Sequence, residues 1–304
     1  MRKLSLATLS AASVAVALVL TGCATGDQAL SGGDAGGSSG DEIIIGSADF
    51  AESQLIASIY SLALQDAGVK VKEQFNIGSR EVYIAALKDG SIDLIPEYSG
   101  ALLKYLDKES EASTSEDVVA ELTKALPEGI EAYEISKAED KDILAVTEET
   151  AKKYNLTTIS DLKPVASELT LGGPAEWATR VNGVVGLRDV YGLEFKEFTS
   201  LDAGGPLTIT ALLNGQIQVA DVFSTDPALT TNNLVALEDD KSLFAAENII
   251  PVISSAKSTD TVKKTLDAVS AALTTDALIE MNGQAAEGKS LSEIARAWLD
   301  SSGV

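Results

Sequence analysis

Four aromatic side chains stand just after short apolar segments that predict β-strands. They are Phe50, Tyr98, Trp177 and Phe223. Ligands of open α/β sheets bind outside the carboxyl ends of the strands. An aromatic ring there offers a large apolar surface and a face that attracts cations. For any one ring, packing in the core is the more common role. As a set, the four predict an aromatic-lined cleft whose two halves come from two facing lobes.

The two halves are indicated by an internal repeat. Residues 86–99 read ALKDGSIDLIPEYS and residues 211–224 read ALLNGQIQVADVFS, a shift of 125 positions. Further upstream, residues 45–47 (IGS) resemble residues 171–173 (LGG) at nearly the same shift. Helix–Gly–strand units share such a pattern in many α/β proteins. Two segments in the same order and at nearly one spacing favour a pair of similar lobes.

The elements that would hold these rings alternate between strand and helix. Strands are predicted over residues 43–45, 69–75 and 92–95 from their apolar, β-branched runs. Helical spacing of apolar residues between them ends at Gly68 and again at Gly90. This alternation predicts an α/β fold with a parallel sheet.

The amino-acid composition argues against several classes of function. The chain has 304 residues, 23 Lys and Arg against 46 Asp and Glu, a net charge of −23, no His and one Cys. So acidic a surface disfavours nucleic acid as a partner. Without His there is no Ser–His or Cys–His nucleophile pair and little prospect of a zinc site. We therefore expect no enzyme, no cofactor and no metal, although Asp/Glu chemistry stays open.

The first 41 residues are predicted to lie outside the fold. Arg2 and Lys3 precede an apolar run over residues 4–20, which has the layout of a signal peptide. It ends in LTG before Cys23, and this resembles a bacterial lipoprotein signal of residues 1–22 with lipid attached to Cys23. The alternative is a simple secretory signal with an incidental Cys. Residues 23–41 are rich in Gly and Ser and predict a flexible tether. We expect an extracytoplasmic protein anchored at the outer face of the cell membrane.

Five motifs carry a resemblance to a known family. They are GSADFAES (46–53), GSREVY (78–83), DLIPEYSG (93–100), DAGGPL (202–207) and FSTDP (223–227). Together they resemble the substrate-binding proteins of osmoprotectant ABC importers of the glycine betaine, carnitine and choline type. The resemblance implies a monomer with a type II periplasmic-binding-protein fold that delivers an osmolyte to an ABC permease. The two lobes would comprise residues 42–143 with 252–304, and residues 146–249.

The resemblance also implies ligand-binding residues. A quaternary ammonium has no N–H to donate, so the four rings would hold it by cation–π attraction, roughly 0.5–2 kcal/mol for each ring. Arg180 is the first candidate to clamp a ligand carboxylate, because it follows Trp177 by three residues. Arg80 is the second, and it would alternatively cap its helix or pair with Glu81.

Two further candidates, Thr225 and Asp226, follow Phe223. Asp226 would either neutralise the cationic head or shape the turn before Pro227. The choice among betaine, choline and carnitine stays open. Three other classes remain as alternatives: a binding protein for an amino acid or other polar solute, an enzyme on the same two-lobed body, and a structural envelope lipoprotein.

Overall fold

The computed structural model describes residues 42–304, which contain ten strands and eleven α-helices. The strands are β1 (Glu42–Gly46), β2 (Lys70–Gln74), β3 (Leu94–Tyr98), β4 (Ile130–Ala132), β5 (Asp142–Thr147), β6 (Thr170–Pro174), β7 (Glu197–Leu201), β8 (Val219–Phe223), β9 (Leu234–Ala236) and β10 (Ile249–Ser254). The helices are α1 (Ala51–Asp66), α2 (Arg80–Asp89), α3 (Ser99–Leu106), α4 (Ser115–Ala125), α5 (Glu148–Tyr154), α6 (Val184–Tyr191), α7 (Pro206–Leu213), α8 (Ala228–Thr231), α9 (Asp260–Ala272), α10 (Thr275–Ala286) and α11 (Leu291–Ser302).

The strands form two five-stranded sheets with the same topology. Their orders are β2-β1-β3-β10-β4 and β7-β6-β8-β5-β9. In each sheet the first three strands are parallel, and the fourth is antiparallel to both of its neighbours. We call the parts around the two sheets the first and second lobe. The chain enters the second sheet at β5 and returns to the first at β10.

Each sheet is buried on both faces. Its central strands carry apolar side chains on both sides, and these enter two different cores. In the first lobe, Ile45 packs in a core with α1 and the C-terminal helices, and Ile95 packs in the core on the opposite face. In the second lobe, Val219 and Val222 divide in the same way between two cores. Each lobe is therefore a sheet between two helical layers, as parallel sheets usually are.

The internal repeat corresponds to one packing contact made twice. A Cβ added to Gly46 would lie 2.7 Å from Cδ1 of Ile92, and one added to Gly172 would lie 2.5 Å from Cδ1 of Ile217. Both isoleucines are fully or almost fully buried. Only glycine lets the strand pass this closely over the side chain. The repeat therefore corresponds to the same contact in both lobes, between a strand glycine and an isoleucine two residues before the neighbouring strand.

The strand that holds Tyr98 differs from the sequence-based expectation. It covers Leu94–Tyr98, whereas the apolar run predicted residues 92–95. Pro96 lies opposite Pro251 in β10, so this pair leaves no N–H unpaired. Because β3 extends to residue 98, Tyr98 is the last residue of its strand, and Phe223 is likewise the last residue of β8. Both rings were expected in the loops that follow.

Within residues 42–304, no helix combines the length and apolarity needed to cross a membrane. The predicted signal segment, Cys23 and the tether lie outside the described residues, and the assignment of residues to each lobe stays a prediction.

Candidate functional site

A cleft between the two lobes contains about 620 Å³ of space, including the part open to solvent. The rings that line it are Phe50, Tyr83, Tyr98, Trp177 and Phe223. The charged residues that line it are Asp49, Arg80, Asp140, Asp142, Glu176, Arg180, Asp221 and Glu247. Six carboxyl groups thus face two guanidinium groups. The four aromatic residues singled out in the sequence therefore border one shared space.

Phe50 joins the rings of the two lobes. It lies just before α1, and its ring centroid is 5.8 Å from that of Tyr98 and 5.2 Å from that of Phe223. A Cβ added to Gly204, which has φ +63°, would lie 2.9 Å from the Phe223 ring. The glycine lets the DAGGPL loop pass over that ring. The three rings form a continuous aromatic surface across the cleft.

Trp177 borders the cleft but belongs largely to the core of the second lobe. It is 1% exposed, and its ring stacks on Phe244 at 6.4 Å. Its Nε1 donates to Asp142 at 3.4 Å. It lies in a short 3₁₀ helix, Ala175–Ala178, that ends before Arg180. The expectation that Trp177 and Arg180 share one helical face is therefore wrong, although both line the cleft.

Glu52 connects several elements behind the rings. Its carboxylate accepts hydrogen bonds from the Tyr98 hydroxyl at 2.8 Å, from Thr225 Oγ1 at 2.5 Å and from Asn282 Nδ2 at 2.6 Å. It is 5% exposed. Burial, and then the charge of Glu52, raise the pKa of the Tyr98 phenol. This network fixes the Tyr98 ring and occupies its hydroxyl group.

Both arginines of the cleft are already paired. Arg80 donates through Nε and Nη2 to the two carboxylate oxygens of Glu97, each at 2.9 Å, and both side chains are buried. Burial opposes the charge of Arg80, but Glu97, together with Tyr83 and Glu247, outweighs burial and raises the Arg80 pKa. The alternative in which Arg80 pairs with Glu81 is wrong, because the guanidinium turns inward toward the Glu97 side chain.

Glu81 pairs instead with Arg180, from the opposite lobe. Arg180 donates to it through Nε at 3.2 Å and Nη2 at 3.0 Å. Partial burial works against the charged form of Glu81, but the hydrogen bonds from Arg180 and Ser79 lower its pKa to about 2. This pair connects the lobes at the edge of the cleft.

Four buried carboxyl groups of the cleft have raised pKa values, those of Asp140, Asp142, Asp221 and Glu247. Burial, reinforced by Asp142, raises the pKa of Glu247 to about 8 and that of Asp221 well above its ordinary value. Burial also raises the pKa of Asp142, although the charge of Arg180 and hydrogen bonds from Trp177 and Asn182 oppose the shift. Neither carboxylate oxygen of Asp221 has a hydrogen-bond partner among the described residues. A cationic ligand would relieve this accumulation of buried acid.

Thr225 and Asp226 lie outside the described lining of the cleft. Thr225 is 1% exposed and its hydroxyl donates to Glu52. Asp226 accepts from the backbone N–H of Ala228 at 2.7 Å, as expected of a residue that shapes the turn. The geometry gives both a supporting position, and a direct role in ligand binding stays a prediction.

Sequence reasoning missed Asp221, Asp142 and Glu52. A signal for Asp221 was present, because a lone acidic residue interrupts the apolar strand VADVF. Charged residues are almost never fully buried unless paired. No such signal marked Glu52, whose partners lie between 46 and 230 positions away along the chain. No group of three or more potential ligands placed to hold a metal ion occurs among residues 42–304.

Residues 41–301 match the family model described as the substrate-binding domain of an ABC-type glycine betaine transport system. The chain belongs to this family. The resemblance drawn from the sequence motifs is thereby confirmed. The family consists of substrate-binding proteins of ABC transporters and not of enzymes, and its members act outside the cytoplasm.

Relatives and solved structures agree with the assignment. The carnitine transport binding protein OpuCC of Listeria monocytogenes is 32% identical over 266 residues, 84% of each chain. A glycine-betaine-binding protein of Pseudomonas aeruginosa is 30% identical, over 72% of this chain and 73% of that one. A crystal structure of a glycine betaine/carnitine/choline ABC transporter protein matches with a TM-score of 0.67 and 25% identity, over 85% of this chain and 98% of that one. The predicted type II periplasmic-binding-protein fold is confirmed.

Proposed function

We propose that this protein captures a quaternary-ammonium osmolyte between its lobes and delivers it to an ABC permease. The observation that carries the proposal is the aromatic surface of Phe50, Tyr98 and Phe223, which spans a cleft with six carboxyl groups. A methylated ammonium group binds to such a surface through dispersion and the negative ring faces. Three rings supply several kcal/mol, and micromolar affinity needs about 8 kcal/mol in total.

Isothermal titration with choline, glycine betaine, carnitine and proline betaine tests the ligand class. We expect at least one of them to bind with a Kd of about 10 μM or tighter. The matched control ligand is 3,3-dimethyl-1-butanol, which has the shape of choline but no charge. It should bind at least about tenfold more weakly. Absence of heat from all four cations and zwitterions contradicts the proposal, and heat from an ordinary amino acid alone favours the polar-solute alternative.

The role of the rings is tested by Phe50→Leu, which keeps apolar bulk but removes the ring face. We expect about tenfold weaker binding of the charged ligand and little change for the uncharged control ligand. Equal losses for both would indicate a packing defect instead of a lost cation–π contact.

We also propose that Cys23 carries lipid and holds a monomeric protein at the outer face of the membrane. Cys23→Ala should move the protein from the membrane fraction to the medium and abolish labelling by radioactive palmitate. A single acyl chain anchors only marginally, so the mass of the mature N-terminus should reveal more than one. Light scattering of the purified protein measures its mass in solution and tests whether it is a monomer.

A further inference from the structure

Asp221 is a buried carboxyl group with no partner among the described residues. It lies in β8, is 1% exposed and lines the cleft. A Cβ added to Gly173 in the neighbouring strand would come within 3.1 Å of the Asp221 Cβ. The glycine thus leaves room for a carboxylate at this place. A native structure rarely buries an ionisable group without a partner, so the absent partner is expected to be a ligand.

The cations near this place are already engaged. Arg80 is bonded through two nitrogens to Glu97, and Arg180 to Glu81. The other charged groups that face Asp221 are acidic: Asp142 in β5, Asp140 just before it and Glu176. A ligand carboxylate would therefore meet several acids and no unpaired guanidinium in this cleft.

We propose that Asp221 is the counter-ion of the ligand's ammonium group, and that the cleft selects permanent cations without a carboxylate, of the amino-alcohol type represented by choline, over zwitterionic betaines. This inference rests on the proposed function, since it names the subclass of ligand at the same site. The selectivity follows from charge: a cation neutralises Asp221, whereas a zwitterion adds a second carboxylate among acids.

Ligand capture then involves one proton. Burial and the neighbouring Asp142 hold the pKa of Asp221 well above its ordinary value, which favours the protonated carboxyl group before a ligand binds. Binding of the cation favours the ionised form, the carboxyl O–H bond breaks, and the proton passes to the solvent. Affinity for a cation should therefore rise with pH, and affinity for a zwitterion should change less.

The test is isothermal titration of choline and glycine betaine in two buffers of different ionisation enthalpy, at about pH 6 and about pH 8. For the wild type we expect choline to bind at least about tenfold more tightly than glycine betaine, with proton release. In Asp221→Asn, choline should weaken by about tenfold or more, glycine betaine by less than about threefold, and proton release should decrease, the remainder coming from Glu247, whose pKa is raised to about 8. The matched control is Asp189→Asn, an exposed residue, which should change neither affinity.

Equal or tighter binding of glycine betaine by the wild type overturns the inference and leaves the proposed function standing. Equal weakening of both ligands by Asp221→Asn overturns it as well. If neither ligand nor any other quaternary ammonium binds, the proposed function itself fails. A thermal unfolding control shows whether Asp221→Asn folds. If it does not, the wild-type protein alone tests the inference: an affinity for choline that does not change with pH, with no proton release, contradicts it.

Discussion

The two lobes share one sheet topology but differ in how they treat a buried charge. β3 and β8 occupy equivalent places and each ends in a cleft-lining ring, Tyr98 and Phe223. Beneath Tyr98, the carboxylate of Glu97 is neutralised by Arg80. Beneath Phe223, the carboxyl group of Asp221 has no partner among the described residues. The shared topology places one ring at the same position in each lobe. The lobes differ in the counter-ion of the buried acid: the first lobe supplies one for Glu97, whereas Asp221 in the second lobe is suited to meet a cation.

The comparison extends to the surroundings of the two rings. The hydroxyl of Tyr98 is held by Glu52, which also connects α1 to α10 and to the loop after β8. Phe223 has no hydroxyl and packs between Phe50 and the turn at Gly204. The first ring is therefore fixed by hydrogen bonds, and the second by packing alone.

The largest expected effect comes from breaking the charge pair of the first lobe. Arg80→Met leaves Glu97 buried without its partner, and we expect the free energy of unfolding to fall by about 3–5 kcal/mol. Urea denaturation measures it. The matched control is Arg188→Met, which removes an exposed pair with Asp189 and should cost less than about 1 kcal/mol.

A double variant sharpens this result. Arg80→Met combined with Glu97→Leu removes both charges, and we expect it to recover most of the lost stability, since well-packed apolar residues often replace a buried pair at no cost. Equal costs for the Arg80 and Arg188 variants would mean that the first lobe does not depend on its buried pair.

The next effect tests whether the lobes pack equivalently. Gly172→Ala and Gly46→Ala should each lower the free energy of unfolding by about 1–3 kcal/mol, because the new methyl group collides with Ile217 or Ile92. Ile217→Val and Ile92→Val remove the nearest Cδ1 atoms and should rescue part of the loss in their own lobe only, because Cδ1 of Leu201 and of Ile77 stays 2.9 Å from the new methyl group. Gly283→Ala in α10 is the control: open space surrounds it, and helix propensity predicts a gain of about 0.5–1 kcal/mol. A large loss from one glycine variant and none from the other would refute the equivalence.

The two rings are compared by truncation. Tyr98→Ala should weaken osmolyte binding about tenfold, about 1.4 kcal/mol, and by more than Phe223→Ala, because hydrogen bonds preorganise the Tyr98 ring. Titration calorimetry well below the melting temperature measures both. Tyr98→Phe keeps the ring but removes its hydrogen bond to Glu52, so it should weaken binding by less than Tyr98→Ala does. Negligible losses from both alanine variants would remove the aromatic surface from the binding account.

The smallest effect concerns the contact between the lobes. Arg180→Ala removes a partly exposed pair with Glu81 and should cost about 0–1 kcal/mol at neutral pH. The pKa of Glu81 is lowered from 4.5 to about 2, so this contribution is present above about pH 4.5 and is lost as pH falls toward about 2. The stability difference between wild type and variant should vanish over that interval. A constant difference would show that Glu81 does not carry it.

The sequence allowed much of the fold to be predicted, because local patterns repeat. Gly46 with Ile92 and Gly172 with Ile217 showed the duplication, and left-handed glycines such as Gly90, with φ +79°, ended helices where expected. The ion pairs were not predictable. Arg80 meets a residue 17 positions away and Arg180 one 99 positions away, and no local pattern selects such partners.

The sequence by itself determined a duplicated α/β body with rings at equivalent strand ends, because apolar periodicity and glycine placement are local properties that survive in any context. Tertiary structure alone decided which charges are satisfied. Glu97 and Asp221 are both acids in buried strands, and the fold brings a guanidinium within hydrogen-bonding distance of Glu97 but not of Asp221. The distance from a carboxylate to a guanidinium depends on how segments far apart in the chain pack together. In the low-dielectric interior, that distance determines whether the protein neutralises a buried acid, and so which charge the cleft presents to a ligand.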